Sequence, residues 1–301
     1  MKRVRLLIIG LIFTYSVKSQ DLVIDVKYAN TPEDNEIAKQ EQVLENNSVV
    51  NVSKAQLYVW LPKQDYTNAP AMIICPGGGY SSESMKSEGH DFAQWLNERG
   101  IVGIVLKYRL PNQHPMVPLE DIKNAMRQVR ETAKEWKVNP NKIGVAGFSA
   151  GGHLASSLAT HFDFGKRNST NDFEKISCRP DFALLVYPVI SMKVGITHQG
   201  SRNQLIGESG EASMINYFSN ELHVKRRTPP TFLVHADNDR SVTPENSILF
   251  YQQLKRRMIP AELHIFRSGG HGFGMKKLNK PIDKWPDLFM DWLKAINIVR
   301  E

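Results

Sequence analysis

Only two cysteines, Cys75 and Cys178, occur in the 301 residues of this chain. A fold stapled by disulfides needs more, so the core has to come from apolar packing, which a chain of this length can supply. Cys75 ends an apolar run and reads as a buried thiol rather than half of a bridge. After residue 19 no apolar run approaches the roughly 20 residues that a membrane-spanning helix needs, so no stable membrane insertion is expected of the mature chain. Charge of one sign is also scarce. Lys2, Arg3, Arg5 and Lys18 account for four of the formal +7, leaving +3 on residues 20–301. That is not the footprint of a nucleic-acid binder, and clusters such as Lys225-Arg226-Arg227 read as solvated surface. Internal repeats, low-complexity tracts and a recognisable linker are missing as well.

What is present begins with a targeting pattern. Met1-Lys2-Arg3-Val4-Arg5 is basic, Leu6 to Val17 is mostly apolar, and Val17-Lys18-Ser19 offers small residues ahead of a cut before Gln20. Residues 1–19 thus read as a secretory signal peptide, with an uncleaved anchor as the alternative. The expected location is secreted or periplasmic, with residues 20–301 forming one domain.

From residue 71 onward, apolar strand-like runs alternate with helical patterns. The strand candidates are 71–75, 101–108, 142–148, 182–187, 231–235 and 262–266. Their near-continuous hydrophobicity suits strands buried on both faces, so the expected class is α/β, a mostly parallel sheet with helices on both sides. Leu119, Ile122, Met126, Val129, Ala133 and Trp136 recur at helical spacing. Phe92, Trp95 and Leu96 mark an earlier helix that Gly100 closes. Ile248, Tyr251 and Leu254 mark a later one, and Phe289, Trp292, Leu293 and Ile296 the last. Residues 22–61 read as antiparallel strands leading into the sheet. Residues 193–228 are the least regular and are expected to form a small insertion over the active face.

The run Lys142–Ala146 leads into Gly147-Phe148-Ser149-Ala150-Gly151, and the Ala- and Leu-rich stretch 152–159 follows. A G-x-S-x-G pentapeptide between a strand and a helix holds its serine at a sharp turn, where the side chain stands clear at the top of a sheet. A serine so placed becomes a nucleophile when a base takes its proton. In a parallel α/β sheet such partners gather past the carboxyl ends of strands. Asp237 and Asp239 follow one strand, and His271 follows the last, between Gly270 and Gly272. The order Ser149, Asp239, His271 is the order of an α/β-hydrolase, with Asp239 favoured over Asp237 as the acid. His153 and His235 read as packing or hydrogen-bonding groups, and His198 has no setting that marks it. Oxyanion donors are expected from Ala150 N–H and from Pro76-Gly77-Gly78-Gly79-Tyr80, with Gly78 and Gly79 the favoured contributors.

With these pieces in place the chain resembles secreted α/β-hydrolase-fold carbohydrate esterases of the acetyl xylan esterase-like kind. Further carriers of the likeness are Leu106-Lys107-Tyr108-Arg109-Leu110, Pro230 to Ala236 and Gly269 to Gly274. One departure is Pro76, where lipase-like relatives often have histidine before the glycines; acyl-chain preference does not transfer from that branch. The resemblance implies Ser149 as nucleophile, Asp239 as acid and His271 as base. It also implies an acylated carbohydrate substrate, most simply an acetylated plant polysaccharide or oligosaccharide, cleaved through an acyl-enzyme. This chemistry calls for no metal and no organic cofactor. Tyr80, Tyr108, Tyr187, Phe273 and Trp285 are candidates both for stacking on sugar and for core packing. Other readings are a feruloyl or general short-chain carboxylesterase, a serine peptidase of the same fold, and a non-catalytic carbohydrate binder. Glycoside hydrolysis needs a facing carboxylate pair, and none is recognisable. Nothing in the pattern sets an oligomeric state.

Overall fold

The computed structural model describes residues 20–300, so the proposed signal peptide lies outside the described residues. Eight strands form one sheet: β1 (Leu22–Asp25), β2 (Gln56–Trp60), β3 (Ala69–Cys75), β4 (Val102–Lys107), β5 (Val138–Phe148), β6 (Ala183–Val186), β7 (Thr231–Ala236) and β8 (Ala261–Phe266). Their order is β1-β2-β4-β3-β5-β6-β7-β8. β1 pairs antiparallel with β2, and β2 antiparallel with β4. Every other pairing is parallel. This is the expected mostly parallel α/β-hydrolase sheet with an antiparallel entry, and each expected strand is present.

The burial pattern explains the apolar runs. All residues of β4, β6 and β7 are buried, as strands covered on both faces should be. The edges differ: β1 and β8 are mostly exposed or half-buried. α1 (Asp91–Asn97) and α7 (Trp285–Ala295) cover one face, with Phe92 packed against Trp285 and Phe289. α2 (Met116–Glu131) and α3 (Ala150–His161) pack together beside β5. α6 (Glu245–Arg256) packs on β7 and β8.

Two details differ from the periodicity. Ala133 and Trp136 lie past the end of α2, although both are buried. The buried face of α6 is Asn246, Ser247, Phe250 and Leu254, while Ile248 and Tyr251 are only half-buried. Polar residues hold that face because they have partners. Asn246 Oδ1 accepts the Ile190 and Ser191 N–H groups, and Ser247 Oγ bonds His235 Nδ1.

The N-terminal segment is tied down by a buried ion pair. Asp121, fully buried, accepts from Arg109 N–H at 2.8 Å, Arg109 Nε–H at 2.9 Å and Tyr28 Oη–H at 2.6 Å. Residues 193–228 hold no strand; they contain α4 (Gln199–Ile206), α5 (Ala212–Tyr217) and a 3-10 turn, Asn220–His223. Buried Asn220 docks this insertion on α3, donating to His153 O, Ser156 Oγ and Ser157 Oγ. Among the described residues no helix is long and apolar enough to cross a membrane.

Candidate active site

Ser149 stands between β5 and α3 with φ 52° and ψ −119°. A non-glycine residue there stores strain on the order of 1–3 kcal/mol, which surrounding contacts must hold. They do: Ser149 N–H donates to Val186 O at 3.1 Å, and Ser149 O accepts from His153 and Val189 N–H. The glycines allow the turn. A Cβ on Gly147 would lie 2.1 Å from Gly151 O, and one on Gly151 2.1 Å from Cys75 O. The side chain does not stand as clear as the pentapeptide predicts, since Ser149 is only 6% exposed. The glycine loop folds across it: a Cβ on Gly77 would come within 2.8 Å of Ser149 Cβ.

His271 reaches the serine from the loop after β8. Its Nε2 lies 2.8 Å from Ser149 Oγ, and its Nδ1 lies 2.7 Å from Asp239 Oδ2. A carboxylate can only accept, so Nδ1 carries the proton and Nε2 is free to accept from the serine hydroxyl. Ser241 and Val242 N–H groups donate to Asp239 Oδ1 at 2.9 and 3.0 Å. His235, which reads from sequence as structural, donates Nε2–H to Val242 O at 2.9 Å, with Asp239 Oδ2 on its flank at 3.4 Å. Burial acts to raise the Asp239 carboxyl, but the His235 ring beside it and the hydrogen bonds from His271 and Val242 outweigh it. They hold the group well below the ordinary carboxylate range. Asp237 takes no part; it is exposed.

The glycine loop follows β3. Gly77 N–H is committed to Glu88 Oε2 at 2.8 Å. Among the described residues no backbone or side-chain acceptor meets the N–H groups of Gly78, Gly79 or Ala150, the three expected to face an oxyanion. Gly78 has φ +136°, and a Cβ there would lie 2.1 Å from Ser82 O, so only glycine permits this path.

His153 is a packing group, as its place on α3 suggests. It is fully buried, accepts from Tyr80 Oη–H at Nδ1 and donates Nε2–H to Phe218 O, both at 2.8 Å. Burial lowers its pKa to about 4, so it bridges loop, helix and insertion as a neutral ring. The aromatic residues that were candidates for sugar stacking are not on the surface. Tyr80, Tyr108, Tyr187, Phe273 and Trp285 are all buried, where they fill the core.

Two residues near the site carried no usable signal in the sequence. His198, at the start of α4, lies over the glycine loop, with Cε1 3.8 Å from the position of a Cβ on Gly79. Its Nδ1 accepts from Ser201 N–H, leaving Nε2 as a donor with no partner among the described residues. Burial and the nearby His271 both lower its pKa, against the pull of Asp239. Glu88 is the other, a buried carboxylate whose partner is a backbone amide that no residue-type pattern announces.

The chain is similar to several known proteins. Acetylxylan esterase of Xylanibacter ruminicola is 35% identical over 252 residues, covering 82% of this chain and 50% of that protein. Endo-1,4-beta-xylanase B of Butyrivibrio fibrisolvens is 37% identical over 220 residues, 72% of this chain and 34% of that protein. The chain thus spans half or less of the length of these two relatives. A solved structure, the acetyl ester-xyloside bifunctional hydrolase from Caldicellulosiruptor lactoaceticus, superposes with a TM-score of 0.82 at 37% identity. That match covers 95% of this chain and all of the other. The BD-FAE family model matches residues 57–254, well over half of the sequence, and the chain belongs to the BD-FAE family.

Proposed function

We propose that this protein is a serine esterase that removes acetyl groups from plant polysaccharides or oligosaccharides of the xylan kind. The single observation that carries this reading is the relay from Ser149 Oγ to His271 Nε2 at 2.8 Å and from His271 Nδ1 to Asp239 Oδ2 at 2.7 Å. His271 Nε2 takes the serine proton as Oγ attacks the ester carbonyl. The amides of Ala150, Gly78 and Gly79 receive the oxyanion. His271 then gives the proton to the sugar oxygen as its bond to the acyl carbon breaks, so the sugar leaves with a free hydroxyl and an acetyl-serine remains. Water enters by the same route, and acetate leaves. Nε2 can accept these protons only because Nδ1 carries the ring proton, held there by Asp239.

The acetyl group and the xylan-like substrate are supported by what the relatives' names say of those proteins. Export to the periplasm or medium is supported by the basic-apolar-small pattern of residues 1–19, and it would bring the enzyme to such a polymer. Feruloyl esters share every catalytic step, so the test is a panel. Acetate and ferulate release are measured from acetylated and feruloylated xylo-oligosaccharides, beside p-nitrophenyl acetate and a peptide-amide series. The expected result is acetate release by the wild-type protein, lost by at least about 1,000-fold in Ser149→Ala. A Ser149→Ala protein that cleaves p-nitrophenyl acetate at the wild-type rate overturns the nucleophile. Sugar binding with no acetate release overturns the esterase.

A further inference from the structure

Beneath the nucleophile lies a carboxylate that the acyl-transfer steps leave unused. Glu88 belongs to a π-helical turn, Met85–His90, that leads into α1, and it is 6% exposed. Turns of this kind recur at functional sites. Glu88 Oε2 accepts Gly77 N–H at 2.8 Å, and Oε1 accepts Tyr187 Oη–H at 2.8 Å. Tyr187 Oη in turn accepts Gly274 N–H at 3.0 Å. One side chain therefore joins the backbone of the glycine loop, on one side of Ser149, to the backbone that follows His271, on the other.

Packing leaves this bridge little slack. A Cβ on Gly77 would fall 2.6 Å from Glu88 Oε2 and 2.8 Å from Ser149 Cβ, so Gly77 is wedged between carboxylate and nucleophile. A Cβ on Gly274 would lie 3.1 Å from Ser87 O and 3.5 Å from Tyr187 Oη. The Tyr187 ring stands edge-on to His271, with centroids 4.9 Å apart. Tyr187 also holds a positive φ of 36°, a strain that persists only where neighbours over-determine it.

A buried carboxylate is expensive, and an apolar side chain of the same volume would often pack at lower cost. Burial pushes the Glu88 carboxyl up, opposed by its Tyr187 and Gly77 donors. What the carboxylate adds over an apolar group is direction, two acceptors aimed at two loops.

We propose that Glu88 is a positioning residue that holds the glycine loop and the histidine loop in register around Ser149. The inference rests on reading Ser149 as the nucleophile and the Gly78 and Gly79 amides as oxyanion donors. If Gly77 loses its anchor, the next two amides shift relative to the serine. The loss falls on kcat, because the oxyanion exists only on the way through the reaction. A displacement near 1 Å costs about 100-fold.

The test compares Glu88→Met, which has similar length and no acceptor for Gly77 N–H, with Glu88→Gln, which keeps one. Steady-state kinetics on p-nitrophenyl acetate should show kcat down about 10- to 100-fold in E88M, with KM within about twofold, and most of kcat restored in E88Q. An E88M protein with wild-type kcat overturns the proposal. So does a loss confined to KM, or an E88Q protein as impaired as E88M. If E88M does not fold, Tyr187→Phe decides: it keeps the Gly77 bond and releases Gly274, so kcat should fall several-fold with KM unchanged, and wild-type kcat counts against the bridge. The two readings fail differently. A wild-type protein inactive on every ester defeats the esterase, whereas an active wild type, a dead Ser149→Ala and an unimpaired E88M or Y187F defeat only the role of Glu88.

Discussion

Two aspartates follow β7, and their surroundings separate them. Asp237 faces solvent, with its N–H on Phe266 O. Asp239 is 5% exposed, with two amides on one oxygen and the imidazole on the other. Asp239→Asn leaves the shape nearly intact but offers His271 an amide that can stabilise the wrong tautomer. Its kcat should fall by about 10,000-fold, while Asp237→Asn stays within about twofold, as steady-state assays would measure. The pH dependence follows from the sign of the shift. Folding depresses the Asp239 carboxyl, so its contribution to stability is fully present above the unfolded value near 4. It is lost progressively as pH falls from there to the lower folded value. This contribution should therefore hold wild-type denaturation midpoints up between pH 7 and about 4, and its loss should lower them below about pH 4. Removal of the carboxylate in Asp239→Asn should take this contribution away at neutral pH.

At the scale of elements, the turn from β5 to α3 is closely packed. Gly147 and Gly151 meet backbone carbonyls at distances that no side chain survives. Gly147→Ala has no flexible neighbour to displace, so it should cost roughly 3 kcal/mol or more, above the usual range for overpacking. A lowered urea midpoint or loss of soluble protein would register it, and wild-type stability would mean the helix is not so closely seated. The same elements show where periodicity misleads. In α6 the apolar residues Ile248 and Tyr251 yield the buried face to Asn246 and Ser247, because these polar groups satisfy the loop after β6 and the ring of His235. Burial there follows hydrogen-bond partners rather than side-chain polarity.

For the whole molecule, stability rests on one apolar core with two unpaired thiols inside it. Cys75 and Cys178 are both free and both buried. Burial raises the Cys178 thiol to about 11 and pushes Cys75 well above its ordinary value. A thiol reagent at pH 8 should therefore find almost no reactive sulfur in the native protein and both in denaturant. Reducing agent should leave the melting temperature unchanged. A fall in that temperature on reduction would mean a bridge exists after all. This core is closed at the antiparallel end by Arg109, Asp121 and Tyr28, whose pairing spans distant parts of the chain.

Much of this was legible in the one-dimensional pattern, and for a physical reason. Strands buried on both faces must be continuously apolar, a strand-to-helix turn with a positive φ needs glycine neighbours, and catalytic side chains in a parallel sheet must follow strand ends. Each requirement leaves its mark within a few consecutive residues, so the sheet, the serine turn, the expected acid and base and the glycine loop could be placed from the sequence. Interactions that join segments far apart leave no such mark. The enclosure of Ser149 by the glycine loop, the bracing of Asp239 by His235, the position of His198 and the bridge through Glu88 depend on which backbone amide or ring a folded neighbour brings within about 3 Å. The tertiary structure alone decided these, because hydrogen bonding is set by distance in space and the amino-acid order records distance only along the chain.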